Sequence, residues 1–121
     1  MSDRPILVLS NIIIDDITLA DGARHPGTLG GAATYAAVGA RQWWPEVGIL
    51  AGVGADLDTV TDGKLKAFGL RTEGHLVRDA HSIRNTLTYF ADDERSETPL
   101  QGYAHFARLQ TGPADIPASL L

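Results

Sequence analysis

Cysteine is absent from this 121-residue sequence, and methionine occurs only once. Without cysteine the chain has no disulfide framework, no thiolate metal site and no cysteine nucleophile. A lack of cysteine is also typical of proteins that work in a reducing cytoplasm. Ligand binding or catalysis would therefore depend on the other polar side chains and on the backbone.

Basic charge is scarce, because 10 Lys and Arg residues stand against 15 Asp and Glu residues and the formal net charge is −5. The sequence lacks the basic patch of a nucleic-acid-binding protein and the polybasic segment of a membrane-surface protein. The apolar run after Pro5 is much shorter than a signal-peptide core or a membrane span. We expect a cytoplasmic protein with neither nucleic acid nor membrane as a partner.

The apolar pattern predicts an α/β fold. Residues 6–9 form a continuous apolar run, which suits a strand that is buried on both faces of a parallel sheet and lies in the centre of the fold. A helix over 32–43 and a buried strand over 46–54 follow, so strand, helix and strand form a parallel crossover. Residues 56–68 predict a further helix, which Gly69 would end as a C-terminal cap.

Shorter strands alternate with these elements. Residues 12–19 and 23–29 flank Asp21-Gly22, a strong hairpin signal. Residues 74–77 predict a weak edge strand, and 85–90 a clear one whose Thr86 face we expect to line a pocket. Residues 96–105 are expected to return as a short or irregular strand, interrupted by Pro99 and Gly102. No repeat or linker is visible, so residues 1–121 are predicted to form a single unit.

A glycine pair, Gly30-Gly31, precedes the helix predicted over 32–43. Adjacent glycines let the backbone approach a ligand closely, and a helix N-terminus offers unpaired N–H groups. This arrangement favours a binding site. The alternative is a glycine-rich loop and an alanine-rich core helix that bind no ligand.

Familiar ligand motifs are incomplete. The turn at 52–57 lacks the third glycine of a dinucleotide-binding fingerprint, and Leu65 follows Gly63-Lys64 where a phosphate-binding loop needs Ser or Thr. The four histidines have no paired helical spacing for zinc, and no G-x-S-x-G elbow places a nucleophile. These patterns argue against dinucleotide binding, a zinc site and hydrolysis.

Three stretches together resemble the N-terminal part of the ribokinase-like family of sugar and nucleoside kinases, also called the PfkB family. They are residues 11–16, residues 30–36, and residues 52–56 with Gly69-Leu70. The resemblance implies a partial ribokinase-like fold, with a parallel β-sheet, flanking helices and a small β-lid that excludes water. It covers nearly the whole chain, and the order and spacing of the three stretches make it specific.

The resemblance also implies a substrate-binding site. Asp15 matches the carboxylate that binds substrate hydroxyls, and a carboxylate can accept hydrogen bonds from two adjacent hydroxyls. The alternative for Asp15 is a solvated side chain near a strand end. The remaining positions implied to contact substrate are Gly30, Gly31, Ala32, Thr34 and Asn11. Thr34 stands where the family usually has Asn, so a structural role inside the helix is an equal alternative, and Asn11 has a turn or capping role as its alternative.

The family's glycine-rich G-A-G-D segment, which supplies the anion hole and the catalytic Asp, has no counterpart in this sequence. The ATP-binding loops have none either. We therefore expect the N-terminal portion of an ATP- and Mg²⁺-dependent kinase, inactive alone and without a catalytic residue, metal or cofactor of its own. Its partners would be a sugar or nucleoside and a second copy bound through the lid. The alternative is a non-catalytic sugar-binding or dimerisation module.

Overall fold

The computed structural model describes residues 4–120, which form two β-sheets with helices packed beside them. The strands are β1 (Ile6–Leu9), β2 (Ile13–Thr18), β3 (Arg24–Gly30), β4 (Val47–Gly54), β5 (His75–Asp79), β6 (Arg84–Tyr89) and β7 (Arg95–Pro99). The α-helices are α1 (Ala32–Arg41), α2 (Leu57–Val60), α3 (Lys64–Ala67) and α4 (Gly102–Arg108), followed by 3₁₀ turns at Pro113–Asp115 and Ala118–Leu120.

The first sheet is parallel and has the spatial order β1-β4-β5. Every residue of β4 is buried, as its continuous apolar run predicts. The core lies between β4 and α1, where Ala33 and Ala37 pack with Val47, Ile49 and Leu65. Small alanines on the buried face of α1 let the helix approach the sheet closely. The predicted α/β class and the parallel crossover are confirmed.

Strand β1 lies at an edge of this sheet, so the prediction that it is buried on both faces in the centre of the fold is wrong for the described part of the chain. It pairs with β4 on one side only, and no strand within residues 4–120 pairs with its other side. Ile6 is 39% and Leu9 53% exposed. An apolar run signals burial of strand faces, but it carries no information about which neighbours pair with the strand edges.

The second sheet has the order β3-β2-β6-β7 and is mixed, because β2 and β6 are parallel while the outer pairs are antiparallel. The hairpin predicted at Asp21-Gly22 is confirmed: Gly22 has a φ of 88° and its N–H donates to the Leu19 carbonyl. We call this four-stranded sheet the lid. It places the β2 and β6 side chains alternately on an inner and an outer face.

Two of the predicted segments fold differently. The helix predicted over 56–68 is divided into α2 and α3, because Asp62 and Gly63 adopt positive φ values of 54° and 64° between them. Residues after Pro99 form α4 instead of continuing a strand. Gly102, expected to interrupt a strand, has a φ of 80° at the first position of that helix. The predicted cap at Gly69 is confirmed by its φ of 76°.

On the outer face of the lid, Arg84 joins β6 to β2. Its Nε and Nη2 atoms donate to the two carboxylate oxygens of Asp16 at 2.7 and 2.9 Å, and the Gly27 N–H donates to the same carboxylate at 2.8 Å. The hydrogen bonds from Arg84 hold the pKa of Asp16 below its usual value. Both side chains of the pair are 27% exposed, so solvent screens it only in part.

Replacing this guanidinium by Arg84→Gln should lower the free energy of unfolding by about 1–2 kcal/mol at pH 7. Because the pKa of Asp16 is lower in the folded chain, the contribution of the pair is present above pH 3.8 and is lost as pH falls through the folded pKa. Urea denaturation at pH 7 and pH 3 measures both effects. The control Lys66→Gln removes an exposed pair with Asp58 and should cost less than about 0.5 kcal/mol. Equal losses for the two variants would contradict this assignment.

Candidate functional site

The inner face of the lid and the start of α1 form the walls of a half-open cavity of about 370 Å³. Its walls come from β2, β6 and β7 of the lid and from the first turn of the helix. The lining residues are Ile13, Asp15, Gly31, Ala32, Tyr35, Asn85, Leu87, Tyr89, Arg95 and Glu97. The volume suits a ligand of the size of a small metabolite. Three of the residues that the family resemblance implies, Asp15, Gly31 and Ala32, meet in this cavity.

Asp15 reaches the cavity because Gly30 has no side chain. A Cβ at Gly30 would overlap the Asp15 carboxylate oxygen Oδ2. Gly30 therefore leaves room for the Asp15 carboxylate and does not line the cavity itself. Among residues 4–120, no backbone or side-chain group donates a hydrogen bond to the Asp15 carboxylate. Its acceptor capacity is available to a ligand.

The electrostatic surroundings raise the pKa of Asp15 to about 6. Partial burial is the main cause, and the negative charges of Glu97 and Asp16 add to it. The neighbouring Asp16 shows the opposite shift because it faces Arg84 on the outer side of the lid. Adjacent aspartates on β2 thus differ in chemistry because successive strand residues point to opposite faces. Of these two aspartates, Asp15 is the one whose carboxylate has no hydrogen-bond donor among residues 4–120 and lines the cavity.

Gly31 fixes the position of α1 relative to β2. It has a φ of 90°, and a Cβ there would overlap the carbonyl oxygen of Asn11 and lie 2.8 Å from the Ile13 nitrogen. The Asn11 carbonyl accepts a hydrogen bond from the Ala33 N–H at 3.3 Å, which occupies one of the free donors of the helix start. The glycine pair thus brings two backbone segments together beside Asp15.

Besides Gly30, two of the implied contact residues, Asn11 and Thr34, lie outside this cavity. The Asn11 side chain accepts a hydrogen bond from Gln110 at 3.1 Å. Thr34 is 4% exposed, and its hydroxyl donates to the Gly30 carbonyl at 2.7 Å. This geometry supports the structural alternative for Thr34, whose hydroxyl steadies the glycine pair from within the helix.

The inner face of β6 supplies site residues that the sequence did not single out. Asn85, Leu87 and Tyr89 line the cavity with Asp15, whereas Thr86 lies on the outer face in a separate polar cleft with Asp16 and Arg84. The alternation along β6 was predicted, and the Thr face does line a cleft, but the Asp15 cavity is on the opposite face. Glu97 and Arg95 were missed because no strand register was predicted for their segment. The sequence did contain a signal for the β6 residues, because a strand over 85–90 places Asn85, Leu87 and Tyr89 on one face.

Within residues 4–120, no group of three or more His, Asp or Glu side chains is placed to hold a metal ion. Because Mg²⁺ usually binds one or two carboxylates together with substrate phosphates and waters, the described residues alone offer it no complete coordination sphere. No helix in the same range is long and apolar enough to cross a membrane.

Neither a family model nor a curated protein matches the sequence, whereas several solved kinases share its fold. An uncharacterised sugar kinase from Pyrococcus horikoshii superposes with a TM-score of 0.71 at 18% identity, over 95% of this chain and 40% of its own. Ribokinase from Cryptococcus neoformans, solved with ADP, gives 0.60 at 19% identity, over 79% and 34%. A nucleoside kinase from Burkholderia thailandensis, solved with inosine, gives 0.62 at 18% identity, over 78% and 34%.

The chain thus has an α/β fold built on a parallel sheet with flanking helices and a separate lid sheet. More narrowly, this is the fold of the N-terminal portion of ribokinase-like kinases, as the sequence motifs predicted. The chain spans 34–40% of the length of these three structures. At such low identity the likeness establishes the fold and leaves the activity to be argued from the site.

Proposed function

We propose that this chain forms the substrate-binding part of an ATP-dependent kinase that phosphorylates a hydroxyl of a sugar or nucleoside. The observation that carries the proposal is the Asp15 carboxylate, which lies over Gly30, has no hydrogen-bond donor within residues 4–120 and faces the cavity under the lid. An ionised carboxylate can accept hydrogen bonds from two neighbouring hydroxyls, which orients a polyol in the cavity. The fold of the matched kinases supports this function.

The residues that line the cavity would have different roles in binding the ligand. Asp15 would hold the hydroxyls, the backbone at Gly31 and Ala32 would form the floor, and the Tyr35 and Tyr89 rings would cover the apolar faces of the ligand. Shielding by the lid strengthens the hydrogen bonds to Asp15 by excluding water. Phosphoryl transfer itself, with ATP and Mg²⁺, belongs in this proposal to the complete kinase, and residues 1–121 serve as its substrate-side unit in the cytoplasm.

A non-catalytic sugar-binding or dimerisation module remains the second candidate, because it would retain the same carboxylate and lid. The two candidates share substrate binding and differ in turnover. A homodimer contact through the lid stays a prediction under both.

Calorimetric titration with pentoses, hexoses and nucleosides tests the shared part of the proposal. We expect at least one of these ligands to bind and Asp15→Ala to abolish its binding, because the other carboxylate that lines the cavity, Glu97, already accepts a hydrogen bond from Asn85, whereas Asp15 has no donor within residues 4–120. The chain alone should transfer no phosphate from ATP to the ligand that binds. The control Asp21→Ala removes a carboxylate in the exposed hairpin turn and should leave binding unchanged. Absence of all binding, or retained binding in Asp15→Ala, would overturn the proposal.

A further inference from the structure

A second cavity of about 270 Å³ adjoins the first on the inner face of the lid. The two cavities share Ile13, Asn85 and Glu97, so they are neighbours on this face. The remaining walls of the second cavity are Pro99 at the end of β7 and the Tyr103 and Phe106 rings of α4. This part of the molecule has no role in holding hydroxyls at Asp15.

The walls of the second cavity suit a planar ring. Tyr103 and Phe106 lie three positions apart on α4, so their rings project from the same side of the helix. Tyr103 is 78% exposed although most of its surface is apolar, and a stacked heteroaromatic ring would cover it. Stacking on protein aromatic rings is a common way to hold nucleobases. A hydroxyl-bearing part at Asp15 joined to a planar part at Tyr103 is the outline of a nucleoside.

Two polar residues, Asn85 and Glu97, lie among the apolar walls of the second cavity. Asn85 is only 7% exposed, and its amide nitrogen donates to Glu97 Oε1 at 2.9 Å. This bond directs the Glu97 carboxylate to the boundary between the two cavities. Within residues 4–120, Glu97 forms no salt bridge, so it presents negative charge and further acceptor capacity to a ligand. Arg95 lines only the first cavity.

An acceptor-only group distinguishes bases by their exocyclic substituents. A carboxylate that faces the exocyclic substituent accepts hydrogen bonds from the amino group of cytosine or adenine and repels the carbonyl oxygen that replaces it in uracil or hypoxanthine. One that faces the adjacent ring nitrogen would instead favour the N–H of these keto bases. We propose that Glu97, positioned by Asn85, is a specificity-determining residue that selects nucleosides whose base carries an exocyclic amino group. This inference rests on the proposed function, since it names the substrate class of the same site.

Matched ligand pairs test the selection. Titration of the full chain with adenosine against inosine, and with cytidine against uridine, should show at least one amino base binding about tenfold or more tightly than its keto counterpart. In Glu97→Gln this preference should shrink to about threefold or less, because an amide can present either a donor or an acceptor. Free ribose is the reference ligand, measured at pH 8 where Asp15 is ionised in both proteins, and its binding should change less than nucleoside binding in Glu97→Gln.

Two further measurements separate selection from a structural role. Tyr103→Ala should weaken nucleoside binding while leaving ribose binding unchanged. The pKa of Asp15, followed by NMR, should fall in Glu97→Gln because the Glu97 charge contributes to raising it. Equal affinity for amino and keto bases, tighter binding of the keto bases, or an equal effect of Glu97→Gln on ribose and nucleosides would overturn this inference and leave the role of Asp15 standing. Retained binding in Asp15→Ala would instead overturn the proposed function.

Discussion

The substitution Asp15→Asn is expected to weaken binding of the hydroxyl-bearing ligand at least about 100-fold while making the free chain more stable above pH 6. The binding loss follows from replacing a carboxylate that accepts two hydrogen bonds by a neutral amide with one acceptor oxygen. Parent binding should also depend on pH. It should strengthen as pH rises through about 6, where the Asp15 carboxylate ionises in the folded chain.

The gain in stability follows from the direction of the pKa shift. The folded chain raises the pKa of Asp15 from 3.8 to about 6, so between these values the folded state retains a proton that the unfolded state has released. Folding stability therefore falls as pH rises over this window, and the loss is complete above pH 6. The amide of Asp15→Asn cannot ionise and avoids this loss, which we place at about 1 kcal/mol once solvent screening of this partly exposed group is considered.

The neighbouring aspartate provides the matched control. Asp16→Asn should leave ligand binding unchanged and lower stability at pH 7, because it disrupts the pair with Arg84 on the outer face of the lid. Thermal melts from pH 4 to pH 8 and ligand titrations at pH 5 and pH 8 measure both variants. If the two variants shift stability in the same direction at pH 8, or if Asp15→Asn binds as the parent does, the proposed role of Asp15 is wrong.

Local chain signals predicted the elements that depend on local chemistry. The turn at Asp21-Gly22 and the cap at Gly69 both need a positive φ, which glycine allows, and the chain adopts one at both glycines. The buried strand over 47–54 was evident because all of its residues are small or apolar. These features require no knowledge of distant neighbours, so the sequence alone was sufficient for them.

Features that depend on long-range pairing could not be predicted in this way. The period of β6 was evident, yet its pairing with β2 decided that Asn85, and not Thr86, would share a face with Asp15. Glu97 reached the site through pairing of β7 with β6. Such pairings join segments that lie about 70 residues apart for Asp16 and Arg84, and a single sequence gives no measure of that proximity.

The glycine pair Gly30-Gly31 shows both what the sequence could predict and what it could not. Its place before a helix indicated a binding site, and the structure gives each glycine a separate role. Gly30 leaves room for the Asp15 carboxylate, whereas Gly31 leaves room for the backbone of Asn11 and Ile13. This second role makes Gly31 intolerant of any side chain. Its φ of 90° is costly for other residues, and backbone atoms, which cannot rotate away, occupy the space that a Cβ would need.

Gly31→Ala is therefore expected to lower the free energy of unfolding by more than about 3 kcal/mol, a large fraction of the roughly 5–15 kcal/mol typical of a domain. Two other glycines separate the causes. Gly22 has a similar φ of 88° with no atom within 4 Å of the place a Cβ would occupy, so Gly22→Ala should cost only about 1 kcal/mol from backbone strain. Gly39 lies inside α1 with open space around it, and Gly39→Ala should stabilise the chain by about 0.5–1 kcal/mol. Urea denaturation gives all three values. A cost at Gly31 no larger than at Gly22 would show that the chain relieves the overlap by shifting α1, and the close approach of α1 to β2 would then not be what holds Asp15 and the helix start in one cavity.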